Sequence, residues 1–344
     1  MSALTVAPFE GTPAEWDAFA RAHPASTHCH LWGWRRVVEA AYGHDCPYLA
    51  ARGADGALAG ILPLVDVRTL ALGRFLVSMP FLNYGGPLGT PEAEHALVER
   101  AAALARERRA KLLELRCAGE VGGGLPASHD KITVVLDLAE GGPDAVWKGF
   151  SSKLRSQVRK PEKEGVTMAF GADQVEPFFR VFARHMRDLG TPTHPLSFFA
   201  AVAAELGEAA WFGCAYRGGE PVAGGCAVRM GDSVELVWAS ALREHAAAAP
   251  NMLLYWEFIR RAVEEGAARF DFGRCTPGSS THRFKRQWGA RDLPLWWYRD
   301  QRAADAATPS PDRGAFALAT RVWKRVPVPL ATLLGPRIRG AIPQ

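Results

Sequence analysis

Short apolar runs over Tyr48–Ala51 and Leu58–Thr69 read as strands on either side of a polar turn at Asp55-Gly56, which predicts a hairpin. A further strand is expected at Arg74–Met79. It is followed by a glycine-rich loop, a helix from Pro91 to about Arg109 and a strand over Lys111–Arg116. The same order then returns. Trp211–Tyr216 and Val222–Met230 flank a Gly218-Gly219 turn, Ser233–Ala239 is the next strand, a helix runs from about Asn251 to Gly266, and Arg269–Phe272 closes the block. Details repeat as well as order. Leu58-Ala59-Gly60 has its counterpart 164 residues later at Val222-Ala223-Gly224. Leu113-Glu114-Leu115-Arg116 follows its helix as Phe270-Asp271-Phe272-Gly273-Arg274 does, at an offset of 157. The pattern predicts an α+β chain with a diverged duplication: two domains over 1–140 and 141–300, each a mixed sheet flanked by helices, and a tail over 301–344.

Between the blocks lies Trp147–Lys163, where Ser151 or Ser152 can cap a helix with Ser152, Arg155 and Arg159 on one face and Leu154 and Val158 on the other. Pro161 is expected to end or kink it near Lys160.

Composition narrows the class. Hydrophobic residues at 48% and charged residues at 22% fit a globular protein with two cores. The apolar stretch from Ile61 to Leu82 is broken by Asp66, Arg68 and Arg74, so no membrane span is expected. The first residues show no basic n-region and no apolar h-region, so a cytoplasmic protein without a signal peptide is expected. The six cysteines are far apart with no CxxC pair, and are expected to be reduced, mostly buried thiols. His28-Cys29-His30 has no second ligand pair at zinc-like spacing, and no metal is expected.

The net charge of +5 is localised. The first 300 residues balance at 34 basic and 34 acidic groups. From 301 onward there are seven basic residues (Arg302, Arg313, Arg321, Lys324, Arg325, Arg337, Arg339) against Asp305 and Asp312. A basic tail on a neutral body argues against a nucleic-acid-binding surface. With Trp323, Val326, Val328, Leu330, Leu333 and Leu334 among the basic residues, the tail reads either as a membrane-surface contact or as a segment packed back on the body.

The densest candidate chemistry lies at Arg269–Gly289 (RFDFGRCTPGSSTHRFKRQWG). A strand ends at Phe272, a glycine permits a tight exit, and Arg274 follows. A loop then brings Lys285 between Phe284 and Trp288. A fixed cation such as Lys285 stabilises the oxyanion of acyl transfer. Asp271 either orients Arg274 or Lys285 or accepts a proton from an attacking amine. The structural alternative is an Asp–Arg pair beneath a basic rim.

Gly33-Trp34, Tyr42-Gly43-His44, Pro80–Gly86 (PFLNYGG), Ser152–Lys160 (SKLRSQVRK), Leu189–Pro192 (LGTP), Asn251–Trp256 (NMLLYW), Phe270–Arg274 (FDFGR) and Phe284–Gly289 (FKRQWG) together resemble the FemAB-like peptidyltransferase group. The likeness is to its branch associated with exosortase (PEP-CTERM) sorting and exopolysaccharide systems. The resemblance implies two tandem acetyltransferase (GNAT)-like domains and transfer of an acyl or aminoacyl group to an amine of a cell-envelope or polysaccharide precursor. It implies no tightly bound cofactor, with acyl-CoA or aminoacyl-tRNA as donor, and hence a tRNA contact if the donor is the latter. It places the lysine of the FK motif on Lys285. Asp271 and Arg274 are expected to form the reacting centre with it, and Asn251, Tyr255 and Trp288 to lie near the cleft. Asn83, Tyr84, Gly85 and Gly86, just before a helix, offer N–H groups to a phosphate or else form a tight turn. Arg155 and Arg159 meet an anionic substrate or are simply solvated. Two departures stand out. Position 275 is a cysteine where serine is expected in the branch, and Cys275 reads as a packing residue. The loop Arg243–Ala248 (REHAAA) lacks the central glycine of a coenzyme A pyrophosphate loop. That loop supports the rival reading, a non-catalytic double-GNAT scaffold.

Overall fold

The computed structural model describes residues 4–69, 72–301 and 314–342; Arg302, Asp305, Asp312 and Arg313 of the tail lie outside them. The chain forms two compact units. One comprises Met1–Lys131, Pro294–Pro309 and Arg339–Gln344, the other Ile132–Leu293 and Ser310–Ile338. Neither is continuous, where the sequence suggested breaks near 140 and 300. Each unit takes one strand from beyond the boundary the sequence suggested, Trp296–Gln301 in the first and Ile132–Asp137 in the second, an exchange that hydrophobic periodicity cannot reveal.

The first unit contains β1 (Thr5–Pro8), α1 (Pro13–Ala22), α2 (Gly33–Tyr42), β2 (Leu49–Arg52), β3 (Leu58–Leu62), β4 (Val65–Thr69), β5 (Gly73–Val77), β6 (Leu88–Gly89), α3 (Pro91–Glu107), β7 (Leu112–Cys117) and β8 (Ala127–Ser128). The single strand expected over 58–69 is two strands. Pro63 has no N–H for a ladder, so the chain breaks there, and β3 and β4 enter different sheets. The orders are β1-β2-β3-β6 and β4-β5-β7-(Trp296–Gln301)-β8. The α3 helix starts at Pro91, with Thr90 Oγ1 accepting the Ala93 N–H at 3.3 Å. It buries Leu97, Val98, Ala101 and Leu104 in the same core as Leu49, Leu62, Leu113 and Leu115.

The second unit contains β9 (Ile132–Asp137), α4 (Gly142–Gly149), α5 (Ser152–Lys163), β10 (Val166–Phe170), α6 (Val175–Leu189), α7 (Leu196–Leu206), β11 (Ala210–Arg217), β12 (Glu220–Met230), β13 (Ser233–Ala241), α8 (Pro250–Glu264), β14 (Arg269–Cys275), α9 (Ser280–Arg286), β15 (Arg291–Pro294), α10 (Gly314–Trp323) and α11 (Val328–Ala341), whose last residues fall in the first unit. Its sheet is unbroken, in the order β10-β11-β12-β13-β14-β9-β15. Gly224 and Gly225 let helices approach closely: a Cβ at the first would stand 3.2 Å from Phe178 of α6, at the second 2.9 Å from Phe258 of α8. The Ser151 hydroxyl caps α5 by accepting the Leu154 N–H. Pro161 does not stop this helix. It sits in the last turn with its ring buried beside Leu154 and Val158, and the helix runs on to Lys163. All six cysteines are buried thiols.

Candidate functional site

In the second unit β13 and β14 run parallel and pair at three positions, the last being Glu235 opposite Asp271. Beyond that pair β13 continues to Ala241 and β14 to Cys275, and the strands part. On its other side β14 pairs with β9, and here the register slips: Asp271 faces Val135, but Arg274 faces Thr133. The slip is a bulge centred on Gly273, whose φ of +74° is open to glycine and strained for other residues. Asp271 fastens it. Its Oδ1 accepts the Gly273 N–H at 2.7 Å and the Thr133 hydroxyl at 2.5 Å.

The bulge turns the Gly273 and Arg274 carbonyls toward α9, where Lys285 Nζ donates to them at 2.7 and 2.9 Å. This helix is capped by Ser279, whose Oγ accepts the His282 N–H at 3.1 Å. Lys285 is only 4% exposed. Burial pushes its ammonium below the usual lysine range. Cys275, Asp271 and Glu235 act in the opposite direction, and Arg274 acts with burial. An ammonium has three donors. Two are held by carbonyls, and the third has no partner among the described residues. Arg274 is half-buried at the strand end.

An aromatic wall lines the back of this cluster. Tyr255 of α8 stacks on Phe272 at 5.7 Å and meets the Phe284 edge at 4.8 Å, and Trp288 lies against Phe150 at 5.5 Å. Burial raises the Tyr255 hydroxyl above its ordinary value. The Trp288 indole N–H is buried without a hydrogen-bond partner among the described residues. Asn251 occupies the first turn of α8, one turn before Tyr255 and half-buried. The loop before α8, Arg243–Ala248, is wound into a 3-10 helix. Its His245 and Ala249 N–H groups bond Leu242 and Ala246 carbonyls, and Glu244 pairs with Arg184 at 2.7 Å.

The other sequence candidates have contacts of their own. Arg155 donates to the Lys148 and Phe150 carbonyls at the end of α4, and Arg159 lies over the Trp147 ring at 5.3 Å. Asn83, Tyr84, Gly85 and Gly86 belong to the first unit and are all buried. A Cβ on Gly85 would stand 2.7 Å from Met79, and one on Gly86 2.4 Å from Cys117 Sγ, so both glycines are required by packing. Two residues of the cluster escape a sequence reading. Thr133 arrives on a strand 138 residues before Asp271. Glu235 gives a weak signal, an acid flanked by Val234 and Leu236 inside a strand.

Residues 148–286, which include Asp271, Arg274 and Lys285, match the acetyltransferase (GNAT) domain family. The fold is a tandem GNAT. No curated protein matches the chain by sequence. Among solved structures it is similar to FemX, at 16% identity over 84% of this chain and 96% of that one, with a TM-score of 0.64. It is also similar to a tandem GNAT protein from the clavulanic acid biosynthesis pathway, at 15% identity over 90% and 100% with a TM-score of 0.55. The C-terminal domain (DUF2156) of a putative lysylphosphatidylglycerol synthetase from Agrobacterium fabrum aligns at 13% identity over 86% and 95%, with a TM-score of 0.57. At these identities the likeness is one of fold.

Proposed function

We propose that the protein is a FemAB-like N-acyltransferase that uses the second unit to transfer an acyl or aminoacyl group to an amine. One observation carries the reading: a buried lysine, pinned by two carbonyls at the point where β13 and β14 part, keeps one N–H donor unpartnered among the described residues. In acyl transfer the amine attacks the carbonyl carbon, the C–N bond forms, and the bond to the donor's thiolate or ribose oxygen breaks. Negative charge gathers on the carbonyl oxygen, and a fixed ammonium in a dry site stabilises it. Asp271 holds the bulge that aims the Lys285 partners and supplies a counter-charge that favours the protonated amine. Arg274 adds a second cation at the mouth. The donor is acyl-CoA or aminoacyl-tRNA. The acceptor in this reading is a cell-envelope or exopolysaccharide precursor of an exosortase (PEP-CTERM) system, on the strength of the sequence motifs.

The wound 3-10 loop at Arg243–Ala248 favours a second reading, a double-GNAT scaffold without catalysis. Calorimetric titration with acetyl-CoA, followed by transfer assays from acetyl-CoA and from charged tRNA, separates the two. Transfer by the wild type and its loss in Lys285→Ala with folding retained supports the enzyme. Full activity in Lys285→Ala removes the lysine's role, and absence of donor binding and of transfer from both donors leaves the scaffold.

A further inference from the structure

The two C-terminal helices carry their large side chains on the wrong side for a core. On α11 the residues turned inward are small: Ala331 is 2% exposed, and a Cβ on the buried Gly335 would stand 3.1 Å from the Thr193 backbone. The leucines point the other way. Leu333 is 72% exposed, and Leu330, Leu334 and Ile338 are exposed with it. On α10, Leu318 and Val322 are exposed at 62% and 58%.

These residues form one spacing used twice. Leu318, Arg321, Val322 and Arg325 stand at i, i+3, i+4 and i+7, and so do Leu330, Leu333, Leu334 and Arg337. At 3.6 residues per turn Leu318, Arg321 and Val322 share one face of α10, and Leu330, Leu333, Leu334 and Arg337 one face of α11, so each helix presents an apolar stripe edged by arginine; Arg325 is exposed in the turn after α10. Lys324 is also exposed. Residues 314–344 hold five basic residues and no acid. The helices are fixed to the unit by their inner faces. Arg187 donates to the Val326 carbonyl between them at 3.0 Å, and a Cβ on Gly190 would stand 2.5 Å from Thr320. A groove of about 480 Å³, lined by Phe179, Arg180, Arg184, Val328 and Thr332, lies alongside, with Arg184 paired to Glu244.

We propose that this face is a docking surface for an anionic lipid membrane. An apolar stripe this exposed marks an interaction site, and arginine without any acid selects an anionic partner. A nucleic-acid backbone has no use for the leucines; a lipid surface takes the leucines among its acyl chains and the arginines among its phosphates. No helix of the described residues is long and apolar enough to cross a membrane, so the contact is interfacial.

The test is co-flotation of the full chain with vesicles of phosphatidylcholine alone and of phosphatidylcholine mixed with phosphatidylglycerol. Binding is expected to the mixed vesicles only, and to fall as salt is raised. Leu333→Asp, and separately Arg321→Glu with Arg325→Glu, should each reduce it about tenfold or more. Because all three side chains are exposed, the thermal midpoint should not move, and it is measured beside each variant. Absence of binding to the mixed vesicles, or equal binding to both kinds, overturns the proposal. So does a dimer in sedimentation that Leu333→Asp converts to monomer, which assigns the stripes to a second copy of the chain.

Discussion

The strands β7 and β14 hold the same place in their sheets and end in opposite ways. Each pairs in parallel with its neighbour at three positions, and the last pair in each case includes an acid, Glu114 in one and Asp271 in the other. In the first unit the space beyond is closed. Arg116 and Arg299 both clasp Glu114, at 2.9 and 2.8 Å, and the Ser78 hydroxyl accepts the Arg116 N–H at 2.7 Å. The Arg116 guanidinium also donates to the Leu82 carbonyl at 2.9 Å and lies over Trp297 at 4.7 Å. In the second unit the acid is held by a hydroxyl and a backbone N–H, and the cation arrives from another helix to bind carbonyls. The comparison separates a charge cluster that fills its own space from one that leaves a donor available. In the proposed reading one copy of the motif serves stability and the other chemistry.

The sharpest way to break that division is to remove the acid from each copy. Burial pushes the Glu114 carboxyl up, but Arg116 and Arg299 outweigh it and hold the group below the usual carboxylate range. Glu114→Ala leaves Arg116 buried without its counter-charge and should lower unfolding stability by about 3–5 kcal/mol in urea titrations. Asp271→Asn, which keeps an acceptor oxygen for the Gly273 N–H and the Thr133 hydroxyl, should lower it by much less. Equal losses in the two variants would make both clusters structural.

Next in size is the effect of Lys285 on rate. Lys285→Met should reduce transfer by about 10²–10³, roughly 2.7–4 kcal/mol of transition-state stabilisation. Stability should fall by no more than about 1–3 kcal/mol, since relief of the buried ammonium offsets the donor lost by the Gly273 and Arg274 carbonyls. Steady-state transfer kinetics beside urea unfolding of the same preparation make the check, and an active, destabilised variant would place Lys285 with Glu114.

A third test uses acid to probe the first unit. His30 is buried, donates through Nε2 to the Gly86 carbonyl at 3.0 Å and accepts the Thr27 N–H at Nδ1 at 3.1 Å, an arrangement that requires the neutral ring. Burial lowers its pKa from 6.5 to about 4. Below pH 6.5 the unfolded chain therefore binds more protons than the folded one. The His30 contribution is complete above that pH and is lost as pH falls toward 4, by about 3 kcal/mol in total. Urea unfolding of wild type and His30→Gln between pH 7 and 4 should show a steeper acid loss in the wild type; parallel curves would remove His30 as the cause.

The duplication was legible because a hairpin, strand, helix, strand order is written in periodicity and in turn residues such as Gly218-Gly219. Lys285 drew attention in the sequence because it lies between Phe284 and Trp288 in a polar stretch after a strand; the loop expected there is a helix, α9, that carries the lysine. The exchange of β9 and Trp296–Gln301 was not legible, since a strand's alternation says which face is buried and nothing about which sheet receives it. The break at Pro63 was readable in hindsight from the proline alone. For Arg155 the charge run gave no hint that its guanidinium would bond the carbonyls ending α4, because a helix end is satisfied by geometry that composition does not encode.

The exchanged strand also supplies the smallest and most discriminating test. Thr133 reaches the site on β9 and does nothing there except bond Asp271 Oδ1 at 2.5 Å. Its hydroxyl therefore acts through Asp271 on the bulge and on the two carbonyls that hold Lys285. Thr133→Val keeps the shape and removes the donor. The expected result is about a tenfold fall in kcat, roughly 1.4 kcal/mol, with little change in KM. Thr133→Ser should restore the rate, since it returns the hydroxyl without the methyl. A loss confined to thermal stability, with kcat unchanged, would show that the bulge needs no tether and that Lys285 is positioned by α9 alone.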